Sequence, residues 1–189
     1  MNSLWLRLPP PANNPYRKWL TDKGSLTEKI KERSKGFKVI RCFQGVTAAG
    51  IDELSLMGCR YNQYTHVREV ILVADNQPVV FAHSIAKLHD MRGTWRNIGK
   101  LGTRPLAEAL FADPKVSRLD IEYGQINSKH YLFKKMQSYD LILPKRLWAR
   151  RSLFLLKRRR LLVTEIFLPQ IEMLQQKMYK ASLTTGLLP

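Results

Sequence analysis

The sequence predicts an α+β fold, a single domain in which helices pack on one face of an antiparallel β-sheet. Two observations favour this class: strand-like runs occur in adjacent pairs, as hairpins, and helix-like segments are grouped between those pairs. A third is that no alternating strand–helix units and no phosphate-binding glycine loop occur in the sequence. The 189 residues, 44% hydrophobic and 25% charged, suit one globular domain with a sizeable core.

The clearest element is a hairpin at residues 65–88. Two apolar runs flank "DNQP", which is a turn sequence. In the first run, alternation places Arg68 on the same face as Val70, Leu72 and Ala74. A cation on an apolar strand face is unusual, so Arg68 is a candidate site residue.

A second hairpin is predicted near the C-terminus, where "LWARRSLFLL" and "LLVTEIFLP" flank the turn "KRRR" at residues 157–160. Glu165 lies in the last strand with apolar neighbours on both faces. Burying an unpaired carboxylate is costly or forces it to take up a proton. One interpretation is a closed pocket, in which Arg68 holds an anion and Glu165 serves as acid or base. The alternative is structural: the two side chains pair with each other or with the backbone.

Shorter signals predict the other elements. "SLTE" at residues 25–28 is a capping box and predicts a helix to about Ser34. Pro105, just inside a helix start, indicates a helix within residues 102–113. The remaining predicted elements are a short helix at 16–20, a strand at 37–43 with a loop to about Gly58, a strand at 118–126, and a short helix at 128–140.

The chain is expected to have three parts: an extended N-terminal arm at residues 1–15, one domain at residues 16–169, and a helical C-terminal tail at residues 170–189. The N-terminus does not have the pattern of a signal peptide, and no long apolar stretch occurs in the sequence. Cys42 and Cys59 lack a CxxC spacing. These features predict a cytoplasmic protein in a reducing compartment.

The net charge of +17 suggests an anionic partner: nucleic acid, an anionic membrane surface or an anionic small molecule. The basic run at residues 145–160 is interpreted as a solvated strand face plus a hairpin turn. A nucleic-acid surface would present interleaved aromatic side chains, and Trp148 and Phe154 are the candidates in this run. The histidines have no metal-type spacing; they are His66, His83, His89 and His130.

Several motifs together resemble the chorismate lyase family. In order along the chain they are "WLTDKGSLTEKIK", "HVREVILVADNQPVVFA", "GKLGTRPLAEALF", "HYLFKK", "LWARRSLF" and "LLVTEIFLP". The resemblance covers residues 16–169. It implies an antiparallel α+β domain with a closed internal pocket and no metal or organic cofactor. It also implies conversion of chorismate to 4-hydroxybenzoate and pyruvate, towards ubiquinone.

The same resemblance assigns the site residues. Arg68 matches the family's carboxylate-binding arginine, and Glu165 matches the acidic residue at the far end of the pocket. Leu26 and Leu106 match two positions that contact the substrate through the backbone. His83 stands where a relative carries an arginine, so the resemblance supplies no second arginine near the pocket. The expected partner is chorismate, with no nucleic acid, transient contact with anionic membrane, and a monomeric state.

Two other classes of function remain as alternatives. The effector domains of one class of bacterial transcription regulators resemble the lyase fold, so the chain could bind a ligand without catalysis. Those domains follow a helix-turn-helix, whereas about 15 residues precede the first motif here, and both Arg68 and Glu165 are retained. The second alternative is a basic protein that binds nucleic acid or a membrane surface. Binding to phosphates would weaken steeply with salt, unlike turnover in a closed pocket.

Overall fold

The computed structural model describes residues 4–174. Seven strands form one sheet in the order β1-β2-β3-β7-β6-β4, with β5 also paired to β6, and every pairing is antiparallel. The strands are β1 Phe37–Ala48, β2 Tyr64–Ala74, β3 Gln77–Lys87, β4 Ser117–Arg118, β5 Glu122–Asn127, β6 Arg146–Leu156 and β7 Arg159–Phe167. The α+β class and the antiparallel sheet are therefore confirmed.

The α-helices of the described residues are short. They are α1 Arg17–Leu20, α2 Leu26–Lys31, α3 Ile51–Met57, α4 Leu88–Met91, α5 Leu106–Ala112 and α6 Tyr131–Gln137, with a 3₁₀ turn at Ile98–Lys100. Residues 171–174 begin a further helical segment, and the rest of the predicted C-terminal tail lies outside the described residues. Within residues 4–174, no helix is long and apolar enough to cross a membrane.

Helices cover both faces of the sheet, so the prediction of one covered face is wrong. Neighbouring residues of a strand point to opposite faces. Leu72 clusters with Trp19 of α1 and Ile30 of α2, whereas Ile71 clusters with Phe133 of α6. We call these the first and second faces; the first carries Arg68 and Glu165, and the second is also covered by α3.

The second-face helix α3 lies where the sequence predicted a loop. Strand β1 continues to Ala48, and α3 begins at Ile51, after Gly50. The Gly50 amide donates to the Glu53 carboxylate at 2.9 Å, and Gly58 ends the helix with φ of 58°. With seven residues, α3 is too short to give a clear helical periodicity, but its glycine end fits a known stop signal.

Three predicted boundaries also shift. Helix α2 ends at Lys31 rather than near Ser34, and Pro105 caps α5 from outside instead of standing inside it. The predicted strand at 118–126 is two strands, because residues 119–121 leave the sheet between β4 and β5.

Both hairpins close through two residues in the left-handed region. Asp75 and Asn76 have φ of 49° and 63°, and Lys157 and Arg158 have φ of 49° and 62°. Asp and Asn tolerate this conformation, whereas Lys and Arg do so at a cost. The turn predicted at residues 157–160 is thus limited to its first two positions, since the other two belong to β7.

A buried charge cluster lies on the second face. His83 is 2% exposed. Its Nδ1 lies 3.1 Å from Oε1 of Glu69, and its Nε2 lies 3.3 Å from Oε1 of Glu53. Burial by itself would lower the pKa of His83, but the two carboxylates, Glu53 first, raise that pKa to about 9. His83 is therefore a cation at neutral pH that joins β3 to β2 and α3.

This cluster predicts a pH dependence of stability. A histidine whose folded pKa is raised stabilises the fold fully below its unfolded pKa of 6.5, and the contribution is lost as pH rises through about 9. We expect the free energy of unfolding to fall by about 3 kcal/mol over that interval. Denaturant titrations of the wild type and of the double variant His83→Gln/Glu53→Gln, in which the pair is removed together, measure this. An equally steep fall in the variant would exclude His83 as its source.

Candidate active site

A cavity lies between the first face of the sheet and the helices α2 and α5. One row of paired residues crosses its floor: Arg68 of β2 lies opposite Ser84, Ser84 opposite Val163, and Val163 opposite Ser152 of β6. Three strand spacings separate the ends of this row, which is about 14 Å between backbones. All four of these residues line the cavity.

The neighbouring row brings a second pair of charged residues to the same floor. Val70 lies opposite Ala82, Ala82 opposite Glu165, and Glu165 opposite Arg150. Arg68 and Glu165 are therefore contributed by strands on either side of β3, and their rows are two residues apart along the strands, so that both point to the same face. Residues far apart in the sequence thus meet because the two hairpins pair through β3 and β7.

Arg68 is a buried cation that points into the cavity. Its side chain is 2% exposed, and its Nη2 donates to the backbone carbonyls of Gly102 and Arg104 at 3.1 and 2.9 Å. Its Nε is buried, and no acceptor for it is found among the described residues. Burial, with a contribution from Arg41, lowers the pKa of Arg68 to about 10, so the group stays charged at neutral pH.

No carboxylate of residues 4–174 forms an ion pair with Arg68, and Glu165, the carboxylate of the cavity lining, pairs with Arg150. A buried charge without a counter-ion is unfavourable unless a ligand supplies the opposite charge. The Arg68 end of the cavity is therefore suited to an anion.

Leu26 and Leu106 are the first residues of α2 and α5, and both line the cavity. The first amides of a helix have no acceptor within the helix, so they are available to an external acceptor. An ion pair between Lys31 and Glu108, with Nζ and Oε1 3.4 Å apart, joins the two helices on the outer side. The structure thus brings all four predicted site residues to one cavity.

The structural alternative included an ion pair between Glu165 and Arg68. The structure shows no such pair among the described residues. Oε2 of Glu165 accepts a hydrogen bond from Nε of Arg150 at 2.5 Å, and the side chain of Glu165 is 16% exposed. The carboxylate is therefore paired and still has a surface open to the cavity. Glu165 can therefore lie in a strand with apolar neighbours because its charged partner comes from the adjacent strand.

Arg150 is a cavity residue that the sequence analysis did not single out. It is 1% exposed, and its Nη1 donates to the backbone carbonyls of Trp19, Leu20 and Asp22 at 2.8, 3.3 and 2.6 Å. It therefore fixes Glu165 and also the chain that leads into α2. Like Arg68, Arg150 is a charged residue in phase with apolar residues of its strand, Trp148 and Phe154, and that signal could have identified it.

The basic run at residues 145–160 is consequently not a solvated face throughout. Arg150 and Arg151 are buried on opposite faces of β6. On the second face, Nε of Arg151 donates to Oε2 of Glu122 at 2.7 Å, and the guanidinium lies 4.4 Å from the ring centroid of Trp5.

Replacing Arg150 is predicted to cost both stability and activity. Arg150→Gln leaves the Glu165 carboxylate without its ion pair and removes the tie to three carbonyls. Breaking a buried pair costs about 3–5 kcal/mol, and we expect a loss near the lower end because Glu165 is partly exposed. Thermal melting measures the loss, with Arg146→Gln, an exposed arginine of the same strand, as the control. A normal melting temperature would contradict this role.

The charged side chains of the cavity lining are not balanced. Three guanidinium groups and one carboxylate line it, those of Arg68, Arg118, Arg150 and Glu165. Cations exceed anions by two, which suits a ligand with two negative charges. Among the described residues, no cluster of three or more His, Cys, Asp or Glu is arranged to hold a metal ion.

His83 lies away from this cavity. The cavity is lined by Ala82 and Ser84, and His83, between them, points to the second face. The departure from the family pattern at this position therefore does not change the cavity.

A sequence model of the family described as "Chorismate lyase" matches residues 2–177. The chain belongs to the chorismate lyase family. Curated relatives named probable chorismate pyruvate-lyase include one from Aromatoleum aromaticum, 44% identical, with 88% of this chain and 92% of the relative aligned. A relative from Thiobacillus denitrificans is 39% identical over 88% and 89% of the two chains, and one from Nitrosomonas europaea is 41% identical over 90% and 96%.

Solved structures share the fold at much lower identity. A transcriptional regulator of the GntR family from Bacillus cereus gives a TM-score of 0.53 at 12% identity, over 71% of this chain and 92% of that chain. The C-terminal domain of the histidine utilization repressor from Pseudomonas syringae gives 0.51 at 9% identity, over 71% and 93%. At such identities the likeness is one of fold alone.

Proposed function

We propose that the chain is a chorismate pyruvate-lyase, which converts chorismate into 4-hydroxybenzoate and pyruvate as a step towards ubiquinone. The observation that carries this proposal is Arg68, a buried cation at a cavity that also holds Glu165. Membership of the family supports it, because the curated relatives bear that enzyme's name.

The reaction demands little covalent chemistry from the protein. The ether bond at ring C3 breaks and hydrogen is lost from C4, so the ring becomes aromatic and keeps its hydroxyl as 4-hydroxybenzoate. The enolpyruvyl fragment takes up that hydrogen at its methylene carbon and leaves as pyruvate. Because aromatisation drives the reaction, the enzyme acts mainly by positioning the dianionic substrate and stabilising charge.

The site residues have distinct proposed roles. Arg68, with the backbone amides of Leu26 and Leu106, holds the ring carboxylate. Glu165, across the cavity, lies near C4 and the ether oxygen, where a protonated carboxyl would assist departure of the oxygen and an ionised one would accept the C4 proton. A third role is to orient a hydrogen transfer within the substrate. The adjacent Arg150 guanidinium stabilises negative charge on the carboxylate, which supports the base or the orienting role over the acid.

Incubation of the protein with chorismate tests the function directly. We expect 4-hydroxybenzoate to appear, followed by its absorbance, with one pyruvate for each molecule formed. A protein that binds chorismate without turnover would instead fit the ligand-binding alternative. Activity that holds as salt is raised would agree with a closed pocket, whereas steep weakening of binding by salt is expected for phosphate contacts.

We further propose that the protein works in the cytoplasm as a monomer and touches anionic membrane transiently through the β6–β7 turn. Lys157 and Arg158 form that turn and are exposed. Arg159 and Arg160 are less available to lipid. Arg159 lies 3.4 Å from the Asp90 carboxylate, and Arg160 donates to the Leu56 carbonyl at 2.6 Å. Attraction to anionic lipid is worth about 1 kcal/mol per basic residue at the surface.

The double variant Lys157→Asn/Arg158→Gly tests this contact. Asn-Gly is favoured where both turn residues have positive φ, so we expect unchanged or slightly higher stability and an unchanged lyase rate. Co-sedimentation with anionic vesicles should weaken, and neutral vesicles serve as the control. Equal sedimentation of wild type and variant with anionic vesicles would remove the membrane proposal.

A further inference from the structure

Arg118 is a cavity residue that the sequence analysis did not single out. It ends β4, pairs with Phe154 of β6 in the sheet, and lines the cavity at the end where Glu165 lies. Burial lowers the pKa of Arg118. Glu165 raises that pKa and Arg150 lowers it, so the three charges are close together.

The guanidinium of Arg118 is held in place by uncharged groups. Nε donates to the Ser152 hydroxyl at 2.9 Å, Nη1 donates to the Lys23 carbonyl at 3.1 Å, and the group lies 5.4 Å from the ring centroid of Phe154. Neither hydrogen bond uses Nη2, and no ion pair of the described residues includes Arg118. It is thus a positioned cation whose charge is not neutralised.

Arg150 contacts Glu165 directly, but it is less available than Arg118 to bind an anionic ligand. Its Nε is taken by Glu165, and its Nη1 is taken by three backbone carbonyls. Of the guanidinium groups in the cavity lining, those of Arg68 and Arg118 are therefore the two without a carboxylate partner among residues 4–174.

These two cations stand at opposite ends of the part of one row that lines the cavity. Within the lining, this row runs from Arg68 to Ser152, and Arg118 is hydrogen-bonded to Ser152. Arg68 is buried, whereas Arg118 is partly exposed beside the exposed Gly24. An elongated dianion with one carboxylate at each end would neutralise both.

We infer that Arg118 binds the enolpyruvyl carboxylate of the substrate, so that Arg68 and Arg118 each hold one carboxylate and Glu165 faces the bond between them. This inference rests on the proposed function. It places the fragment that leaves as pyruvate at the more open end of the cavity and the ring at the buried end. Selectivity for a dicarboxylate over a monocarboxylate then comes from Arg118.

The product provides a sharp test, because 4-hydroxybenzoate keeps the ring carboxylate and lacks the other one. Arg118→Gln should weaken chorismate binding by roughly 10- to 150-fold, the worth of one hydrogen bond to a charged group. Binding of 4-hydroxybenzoate should stay within about threefold of the wild type. Arg118→Lys keeps a point charge and should recover part of the chorismate affinity.

Calorimetric binding of 4-hydroxybenzoate, together with steady-state KM and kcat for chorismate, separates the outcomes, and calorimetry is used for chorismate if it is not turned over. If Arg118 only supports the cavity wall through Ser152 and Lys23, both ligands should weaken together, and the inference is overturned. Unchanged chorismate binding would overturn it as well. A wild type that binds chorismate without turnover would refute the lyase activity, and the binding comparison would still decide the role of Arg118. Arg146→Gln is the matched control, and it should change neither ligand's affinity.

Discussion

Arg68→Ala is expected to lose nearly all lyase activity while keeping its fold. The change removes a charge-assisted contact to the ring carboxylate in a buried setting, worth roughly 2–5 kcal/mol. In kcat/KM this corresponds to a fall of about 30-fold to several thousand-fold. Binding of 4-hydroxybenzoate should fall in parallel, because the product keeps the carboxylate that Arg68 holds.

Stability distinguishes this loss from general damage. Arg68 has no carboxylate partner among the described residues, so its removal leaves no buried anion and relieves the cost of a buried cation. The carbonyls of Gly102 and Arg104 lose a donor, so the melting temperature should change only modestly. Arg68→Lys should restore activity only in part, since an ammonium cannot fork to a carboxylate.

A neighbouring cation serves as the control for Arg68. Arg41 is exposed and close enough to influence the pKa of Arg68. Arg41→Ala removes the same charge from the same region without touching the cavity lining, and it should retain activity within a few-fold. If Arg68→Ala turned over chorismate as the wild type does, the assignment of the cavity would be wrong.

The sequence predicted what depends on strand alternation. Alternation put Arg68 and Glu165 on apolar faces, and both line the cavity. The sequence paired the strands of the second hairpin but did not give their register, so the ion pair of Glu165 with Arg150 was not predicted. That pair follows from the two-residue turn between β6 and β7, which places Glu165 opposite Arg150. A turn of all four residues 157–160 would place Glu165 opposite Ser152 instead.

Arg150 and α3 were missed for different reasons. Arg150 stands in a run rich in arginine and lysine, where the charge of the run concealed its alternation with Ser152 and Trp148. Helix α3 is short and acidic at its start, and its burial comes from Met57 and Glu53, which the sheet covers. Local sequence carries little information about such tertiary contacts.

Glu165→Gln is expected to lower kcat by roughly 10²–10⁴-fold if the carboxylate transfers the C4 proton, the usual worth of one acid or base group. Gln keeps the size and most of the hydrogen bonding of Glu but cannot take the proton as a base. Product affinity should change much less than the rate, because the ring carboxylate is held at the other end. If Glu165 only orients the substrate, Gln should stay within about tenfold of the wild type, and Glu165→Ala should be slower than Gln.

The Arg150 pair makes a stability control necessary for both Glu165 variants. Glu165→Gln leaves the buried Arg150 with its three carbonyl acceptors but without its anion, and Glu165→Ala adds an empty volume beside it. A structural role predicts that turnover falls only as far as the folded fraction does. A chemical role predicts slow turnover by protein that is fully folded at the assay temperature. Melting curves and single-turnover rates on the same samples decide between them, and a folded Glu165→Gln variant with the wild-type rate would end the case for Glu165 as a functional residue.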